Sequence, residues 1–474
     1  MAYDKVVDST VLDGYFSDIA DAIRDKDGTQ NTYTPAQMPQ AIEDIPTGGG
    51  KEVEKKDVNF YDYDGTVVAS YTAAEFASLS AMPANPSHQG LTAQGWNYTL
   101  TEAKATLDAV GACDIGQHYI TDDGDTRIYC HITEATRDIE LRLYIKGTVD
   151  VDWGDGSEYG IISYPYSNFF TKSATHDYAT AGDYTIKIKP RENCVFEFPT
   201  SSSECECFFR SSDSSRQTNA ITQAYASTIY KIELGANLNT NWTSNAGGIF
   251  NGLRNLETIT VPVTGSNAIW NGMKNFYTCY NLKALIIPKI VSVIKNNLMT
   301  NCYSLEIVSI PSGVQTIGNQ ALKGNYSLKR VVVPQTVTSL GASAFVSDAT
   351  LNEIFLPPGL TATQSQLLYD CQSLTKLKIP ASVTTIGSQS LAGLTSMVSI
   401  TIPDGVTNIE DYAFYGNTAT MEYHLLPTTP PTLGGTNAFS GMRADAVIYV
   451  PTGSLEAYQT ATNWSTYASK MQEE

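Results

Sequence analysis

Side chains with catalytic or ligating chemistry are thinly spread through these 474 residues. The five histidines (His88, His118, His131, His176, His424) stand far apart. No H-E-x-x-H, G-x-S-x-G or phosphate-loop pattern pairs a base with a nucleophile or gathers amides around a phosphate. Asp122, Asp123 and Asp125 beside Gly124 offer the oxygen chemistry that calcium takes, as do Asp152 and Asp155 beside Gly154 and Gly156. Asp and Gly at this density between strand-like runs predict ordinary turns instead. Cys205 and Cys207 flank one residue, a spacing that suits neither a redox C-x-x-C nor half of a zinc site. The expectation is a protein that is not an enzyme and holds no metal or cofactor. A glycan-cleaving carboxylate pair is the one arrangement that spacing does not reveal.

The elements that would carry a binding site are easier to read. Hydrophobic-Pro pairs recur at Pro262, Pro288, Pro311, Pro334, Pro357, Pro380, Pro403, Pro427 and Pro451, in steps of 26, then five of 23, then two of 24. Leu282, Leu305, Leu328, Leu351, Leu374 and Met397 stand six residues before a Pro; Val314, Val337, Leu360, Val383 and Val406 stand three after one. A fixed period with an apolar residue at every register position describes a solenoid whose repeats bury their faces against their neighbours. In LKRVVVP the apolar residues alternate up to the Pro, as in a short strand that Pro ends for want of an amide. The following QTVTSLGASAF spaces its apolar residues by three or four and predicts an irregular or helical return. Cys279, Cys302 and Cys371 share one column with Asn325 and Asp348. Strands about 4.8 Å apart would let the first two cysteines bridge, but a buried ladder of small residues is favoured.

The pattern L-x-x-I-x-I-P-x-x-V-x-x-I-x-x-x-A-F, as in LKRVVVPQTVTSLGASAF and MVSITIPDGVTNIEDYAF, resembles the BspA-like class of leucine-rich repeats from about Tyr230 to Pro451. That class occurs in bacterial surface adhesins, protist surface proteins and phage tail proteins, so the resemblance implies a fold more than a function. The ending IYVPTGSLEAYQTATNWSTYASKM resembles the terminal cap of the class, a last strand and then a helix carrying Leu455, Tyr458, Trp464 and Tyr467 over the open end.

Upstream, residues 1–46 read as one amphipathic helix and a shorter one, with Leu12, Tyr15, Phe16, Ile19 and Ile23 on one stripe. A stripe that long on so few residues must meet something else, so attachment or self-association is expected, a threefold cluster by analogy with tail fibres. Residues 47–56 are a linker. Residues 57–145 predict a small α+β domain: a hairpin turning at Asp64-Gly65, and helices opened by the capping boxes Thr72 to Glu75 and Thr99 to Glu102. Residues 146–199, with Trp153 to Gly156 and His176, Tyr178, Gly182 and Tyr184, resemble a PKD-type β-sandwich module with an aromatic insertion, YGIISYPYSNFF. Residues 200–226 are Ser-rich and linker-like, 227–451 form the solenoid and 452–474 its cap. The run from about residue 8 to 130 is similar to segments of tail-fibre and tail-associated proteins of phages of gut Gram-positive bacteria.

A formal charge of -19 would repel a phosphate backbone, and no run approaches the length of a membrane span, so nucleic acid and membrane insertion are excluded. The start MAYDKVVDST has no basic flank before an apolar core, which predicts no secretory export and free thiols in a reducing cytoplasm. The expected function is that of a phage tail fibre or receptor-binding protein located in the virion tail. Its expected partners are other tail or baseplate proteins and a bacterial surface glycan or protein; a bacterial BspA-like surface adhesin is the alternative. Residues 282–404 hold eight basic and five acidic residues, a local +3 that leaves -22 elsewhere. Alternation turns the residues two and four before each Pro outward as one continuous face. The expected receptor site is therefore Arg330, Lys376 and Lys378 around Phe355, with Tyr164, Tyr166, Phe169 and Phe170 as the competing site.

Overall fold

The computed structural model describes residues 55–199, 208–236, 248–263, 270 and 272–474. The stripe Leu12, Tyr15, Phe16, Ile19, Ile23 lies outside the described residues, as do Cys205 and Cys207. Lys56–Glu474 forms one compact, mainly β unit.

It opens with a four-stranded sheet in the order β2-β1-β4-β3 (β1 Val58–Tyr61, β2 Val67–Tyr71, β3 Leu91–Trp96, β4 Cys113–Thr121). The β1–β2 hairpin closes through Gly65 N to Asp62 O at 3.0 Å, with Gly65 left-handed as the turn requires. Both capping boxes form, opening the helices Ala73–Ala77 and Leu100–Val110. Burial of Phe60, Phe76, Tyr98 and Leu107 makes a small core of its own. This sheet ends at Thr121, which corrects the expected domain end at 145. The strands β5 (Thr126–Ile132) and β6 (Asp138–Asp152) have their partners in the next layer.

There, β6 serves two sheets. Its first half pairs with β8 (Phe170–Asp177), β10 (Val195–Glu197) and β11 (Phe209–Ser211), its second half with β7 (Gly160–Tyr164) and β9 (Gly182–Pro190). The switch falls at Gly147, where φ is +107° and an added Cβ would lie 2.8 Å from the Cys194 backbone. β5 pairs with β9 on one edge and with β12 (Ile229–Glu233) on the other, and β12 pairs in parallel with β13 (Thr258–Thr260), the first rung of the solenoid. One hydrophobic core therefore runs unbroken from Ile128 to Met471, and the upstream strands cover the solenoid's leading end. The Ser-rich stretch expected as a linker is structured from Phe208 onward: Phe208, Phe209, Tyr225 and Ala226 are buried in this core, and Asn219–Ala226 is helical. Burying four apolar side chains outweighs the linker composition of the serines between them.

The solenoid has two parallel ladders. One comprises the strands before each Pro (Ala284–Ile286, Ile307–Ser309, Arg330–Val332, Glu353–Phe355, Lys376–Leu377, Ser399–Ile402, Glu422–Leu425, Val447–Val450), in a register that matches the 23-residue period. After each Pro the chain turns tightly, with Val314 N donating to Pro311 O at 3.1 Å and Val383 N to Pro380 O at 3.0 Å. Where an irregular or helical return was expected, the chain forms a second ladder of two-residue strands, among them Thr316–Ile317, Ser339–Leu340 and Thr385–Ile386. Left-handed residues such as Asn297, Gln320, Gln366 and Gln389 interrupt any helix there, and inter-rung bonds satisfy the backbone instead. Leu328 and Val333 are fully buried, in keeping with the inward register.

Cys279 and Cys302 are not bridged to each other; each thiol donates to a carbonyl of the preceding rung, Phe250 O at 3.1 Å and Phe276 O at 3.0 Å. The trailing end is covered by the helix Leu455–Thr460 with Tyr458, Trp464 and Tyr467 buried, and a strand not foreseen, Met471–Glu473, adds to the ladder. Tyr458 and Trp464 donate to Pro427 O and Pro431 O, both at 2.7 Å.

Candidate functional site

Alternation does turn the residues two and four before each Pro away from the solenoid core, but they do not form one open face. The small domain lies over the first rungs. Tyr61 packs on Ala284, Ile286 and Ile307, and Gly116 sits so close to Ile286 that a Cβ would meet it at 2.4 Å. Asn97 donates to Ile287 O at 3.1 Å and to Ser309 Oγ at 2.9 Å, while Ser309 donates to Asp114 O at 2.7 Å. His118 faces Val261 O at 3.0 Å; burial pushes its pKa down to about 4 against the pull of that carbonyl.

Arg330 belongs to this interface, which corrects its expected role as a free receptor-binding cation. Its side chain is 10% exposed, with Nε 3.2 Å from Asp114 Oδ2, Nη1 3.1 Å from Glu353 Oε2 and Nη2 donating to Asp57 O at 2.9 Å. Burial opposes the charge on Arg330, and the attraction of Asp114 and Glu353 outweighs it, so the guanidinium stays charged. The sheet face emerges from under the small domain at the next rung. There Phe355 is half-buried, with its ring centroid 4.9 Å from the Arg330 guanidinium. Lys376 is 76% exposed and reaches Glu353 Oε1 at 3.1 Å, and Lys378 is exposed.

The edge between covered and open rungs is a cleft of about 700 Å³. The end of the helix Leu100–Val110 (Ala109, Val110, Gly111) forms one wall, Pro358, Pro380 and Ser382 line the turns opposite, and Phe355, Lys376, Lys378 and Ser399 lie on the sheet. Three of the four expected residues thus meet in one cleft, with Arg330 buried beside it. The helix wall was missed, because nothing in sequence places residue 110 beside residue 355. Beyond the cleft the open rungs carry Thr401, then Glu422 and His424, whose ring stacks on Tyr449 at 5.0 Å.

The competing residues also assemble, elsewhere. Tyr164 lies 4.8 Å from Tyr166 and 5.4 Å from Phe170 between ring centroids, Phe169 stacks on Tyr144 at 5.4 Å, and Lys172 Nζ sits 5.3 Å over Phe170. Tyr166 is 64% and Phe170 52% exposed, and none of the four lines the cleft. Four of the five turn carboxylates at these two Asp-Gly sites have partners within the protein. Arg127 holds Asp122 and Asp123 at 3.1 and 2.8 Å, while Asp152 and Asp155 accept from Gly154 N and Ser157 N in turns.

Comparison with known proteins matches residues 224–352 and 323–446 to the BspA type leucine-rich repeat region, in six copies. Among solved structures, a leucine-rich repeat protein from Bacteroides ovatus ATCC 8483 is 21% identical with a TM-score of 0.34, over 47% of this chain and 66% of that one. One from Eubacterium ventriosum ATCC 27560 is 20% identical with a TM-score of 0.35, over 47% and 60%. A leucine-rich cell surface protein from Faecalibacterium prausnitzii A2-165 is 18% identical with a TM-score of 0.27, over 51% and 76%. This chain thus spans just under two thirds of the first of these relatives. No curated protein matches. Just under half of the chain is a β-solenoid of BspA-type leucine-rich repeats.

Proposed function

We propose that the chain is an adhesin-like surface-recognition protein whose open sheet face engages an acidic glycan of a bacterial surface. BspA-type repeats support an adhesin-like function. The observation that carries the site is the cleft at the covered edge. Glu353 is already neutralised between Arg330 and Lys376, so Lys378 adds uncompensated positive charge next to the half-buried ring of Phe355. Such a pairing suits a sugar bearing carboxylate or phosphate, in a chain whose overall charge of -19 would repel the same ligand elsewhere. Purified chain should bind extracted anionic wall polysaccharide in a salt-sensitive manner, and Lys376→Ser with Lys378→Ser should abolish both binding and salt sensitivity. Unchanged binding in that variant, together with loss on deleting residues 164–170, would move the site to the aromatic loop.

A finer reading makes the chain a phage tail fibre, with residues 1–46 attaching a homo-oligomer to the tail and the PKD-like module as a spacer. It rests on the similarity of residues 8–130 to tail-associated segments. A chain truncated before Lys51 should then lose its oligomeric state and fail to join particles. Unchanged assembly would leave the adhesin reading alone.

A further inference from the structure

The repeat period places Arg254, Tyr280, Tyr303, Tyr326, Ala349, Gln372 and Thr395 in one column along a side edge of the solenoid. The first four make a continuous stack. The Arg254 guanidinium lies 5.3 Å over the Tyr280 ring, Tyr280 and Tyr303 are 4.6 Å apart at 7°, and Tyr303 and Tyr326 are 5.0 Å apart at 15°. The stack then stops, because the next rung carries only a methyl group. Backbone bonds show that the column itself continues through that rung: Asn281 N donates to Arg254 O, Ser304 N to Tyr280 O and, farther along, Ser373 N to Ala349 O. Tyr326 is 47% exposed.

We propose that the step at Ala349 is a binding slot for one pyranose ring of a neutral glycan, stacked on the outer face of Tyr326. Two rungs, about 9.6 Å, separate the Tyr326 position from that of Gln372, which is room for a single ring with van der Waals contact on both sides. The negative face of an aromatic ring attracts the C–H bonds presented by one side of a sugar. A sugar also needs hydrogen-bonding partners at its rim, and exposed Gln372 supplies an amide with two donors and an acceptor. Arg254 shuts the opposite end of the stack, so Tyr326 presents the free face. Ala349, Gln372 and Thr395 carry no charge, which selects a neutral ring over the acidic ligand of the cleft. The slot does not depend on Lys376 or Lys378.

The test uses the full chain with maltohexaose, cellohexaose and a mannan hexasaccharide as probes, read by saturation-transfer NMR. At least one probe should receive saturation from tyrosine protons. Ala349→Tyr should fill the slot, lengthen the stack, raise the melting temperature and weaken binding at least tenfold; Tyr326→Ala should weaken it similarly. Lys376→Ser with Lys378→Ser should leave it unchanged, which separates this site from the cleft. Binding by none of the three sugars, or undiminished binding by a folded Ala349→Tyr chain, would overturn the assignment. Saturation of a tryptophan dipeptide without any sugar would overturn it in favour of a protein partner.

Discussion

The same two outward columns of the repeat meet two fates along one ladder of strands. At Ala284, Ile286, Ile307, Ser309 and Val332 the outward residues are buried under the small domain; at Lys376, Lys378, Ser399 and Thr401 they face solvent. The repeat backbone does not change between these rungs. What changes is the chemistry of the outward side chains, from aliphatic to charged and hydroxylic, and Arg330 and Glu353 stand at the crossover. Four aliphatic outward residues within three successive rungs, Ala284, Ile286, Ile307 and Val332, mark where this solenoid is covered, because isolated surface apolar residues are ordinary but a contiguous patch is not.

The largest test of this contrast is Arg330→Ala. It leaves Asp114, 6% exposed in its side chain, and Glu353 without their shared partner, and removing one member of a buried ion pair costs about 3–5 kcal/mol. Urea unfolding should show the loss, and limited proteolysis should release the small domain first. Replacing Arg330 with Met together with Asp114→Asn should recover most of it. If Arg330→Ala unfolds no more easily than Lys376→Ala, the two halves are not energetically distinct.

Acid probes the covered half next. His118 has a folded pKa depressed to about 4 against an ordinary value near 6.5, so its contribution is complete above about pH 6.5 and lost as pH falls toward 4. The loss should reach about 3 kcal/mol, and a His118→Gln chain should show a flatter profile over that window. A wild-type profile with the same slope as the variant would remove His118 from the account.

Much of this architecture was legible in the sequence. The Pro period, the inward Leu column, the capping boxes and the aromatic cap are local or strictly periodic, and periodic burial leaves its mark on residue type. The docking of the small domain was half legible. Ala284, Ile286 and Ile307 are apolar where Lys376 and Lys378 are not, yet which partner covers them depends on contacts across about two hundred residues, and Asn97, Tyr98 and Gly116 carry no pattern that announces it. Placing Arg330 in the receptor site followed from treating its charge as exposed, without asking which carboxylate, here Asp114, would come to meet it. The tyrosine stack is written in the sequence as Tyr280, Tyr303 and Tyr326 at the 23-residue period, in a column outside the strands whose alternation marks the core. The return ladder could not be read, since apolar residues three or four apart fit a helix as well as a turn between two short strands.

Beneath both halves the interior column continues, and it yields a smaller effect. Cys302 N donates to Asn325 Oδ1 at 2.9 Å, Asn325 N to Asp348 Oδ1 at 2.7 Å and Leu394 N to Asn417 Oδ1 at 2.9 Å. Asn417 also donates from Nδ2 to Leu391 O at 2.9 Å, a bond that a carboxylate at this position cannot make. Asp348 is fully buried with Oδ2 unpaired, and burial drives its pKa well above the ordinary carboxyl value. A folded pKa raised in this way means that its stabilisation is present below about pH 4 and lost as pH rises toward the folded value. Asp348→Asn should therefore stabilise the chain by about 1–3 kcal/mol at pH 8 and by almost nothing at pH 3.5. Equal melting temperatures for variant and wild type at pH 8 would mean that Oδ2 has found a partner.

The smallest stability effect belongs to the open half. Lys376 is 76% exposed and its pair with Glu353 competes with water and salt, while Glu353 keeps Arg330 when the lysine is gone. Exposed pairs of this kind contribute about 0–1 kcal/mol, and Lys378→Ser removes a charge from an exposed position. The double Ser variant should therefore unfold within about 0.5 kcal/mol of wild type, in contrast to Arg330→Ala two rungs away. Its effect should fall instead on adsorption to anionic polysaccharide, measured at low and high salt. A double variant that loses stability as Arg330→Ala does would show that the lysines, too, serve the covered interface, and the open half would then have to be sought farther along, from Ser399 to Tyr449.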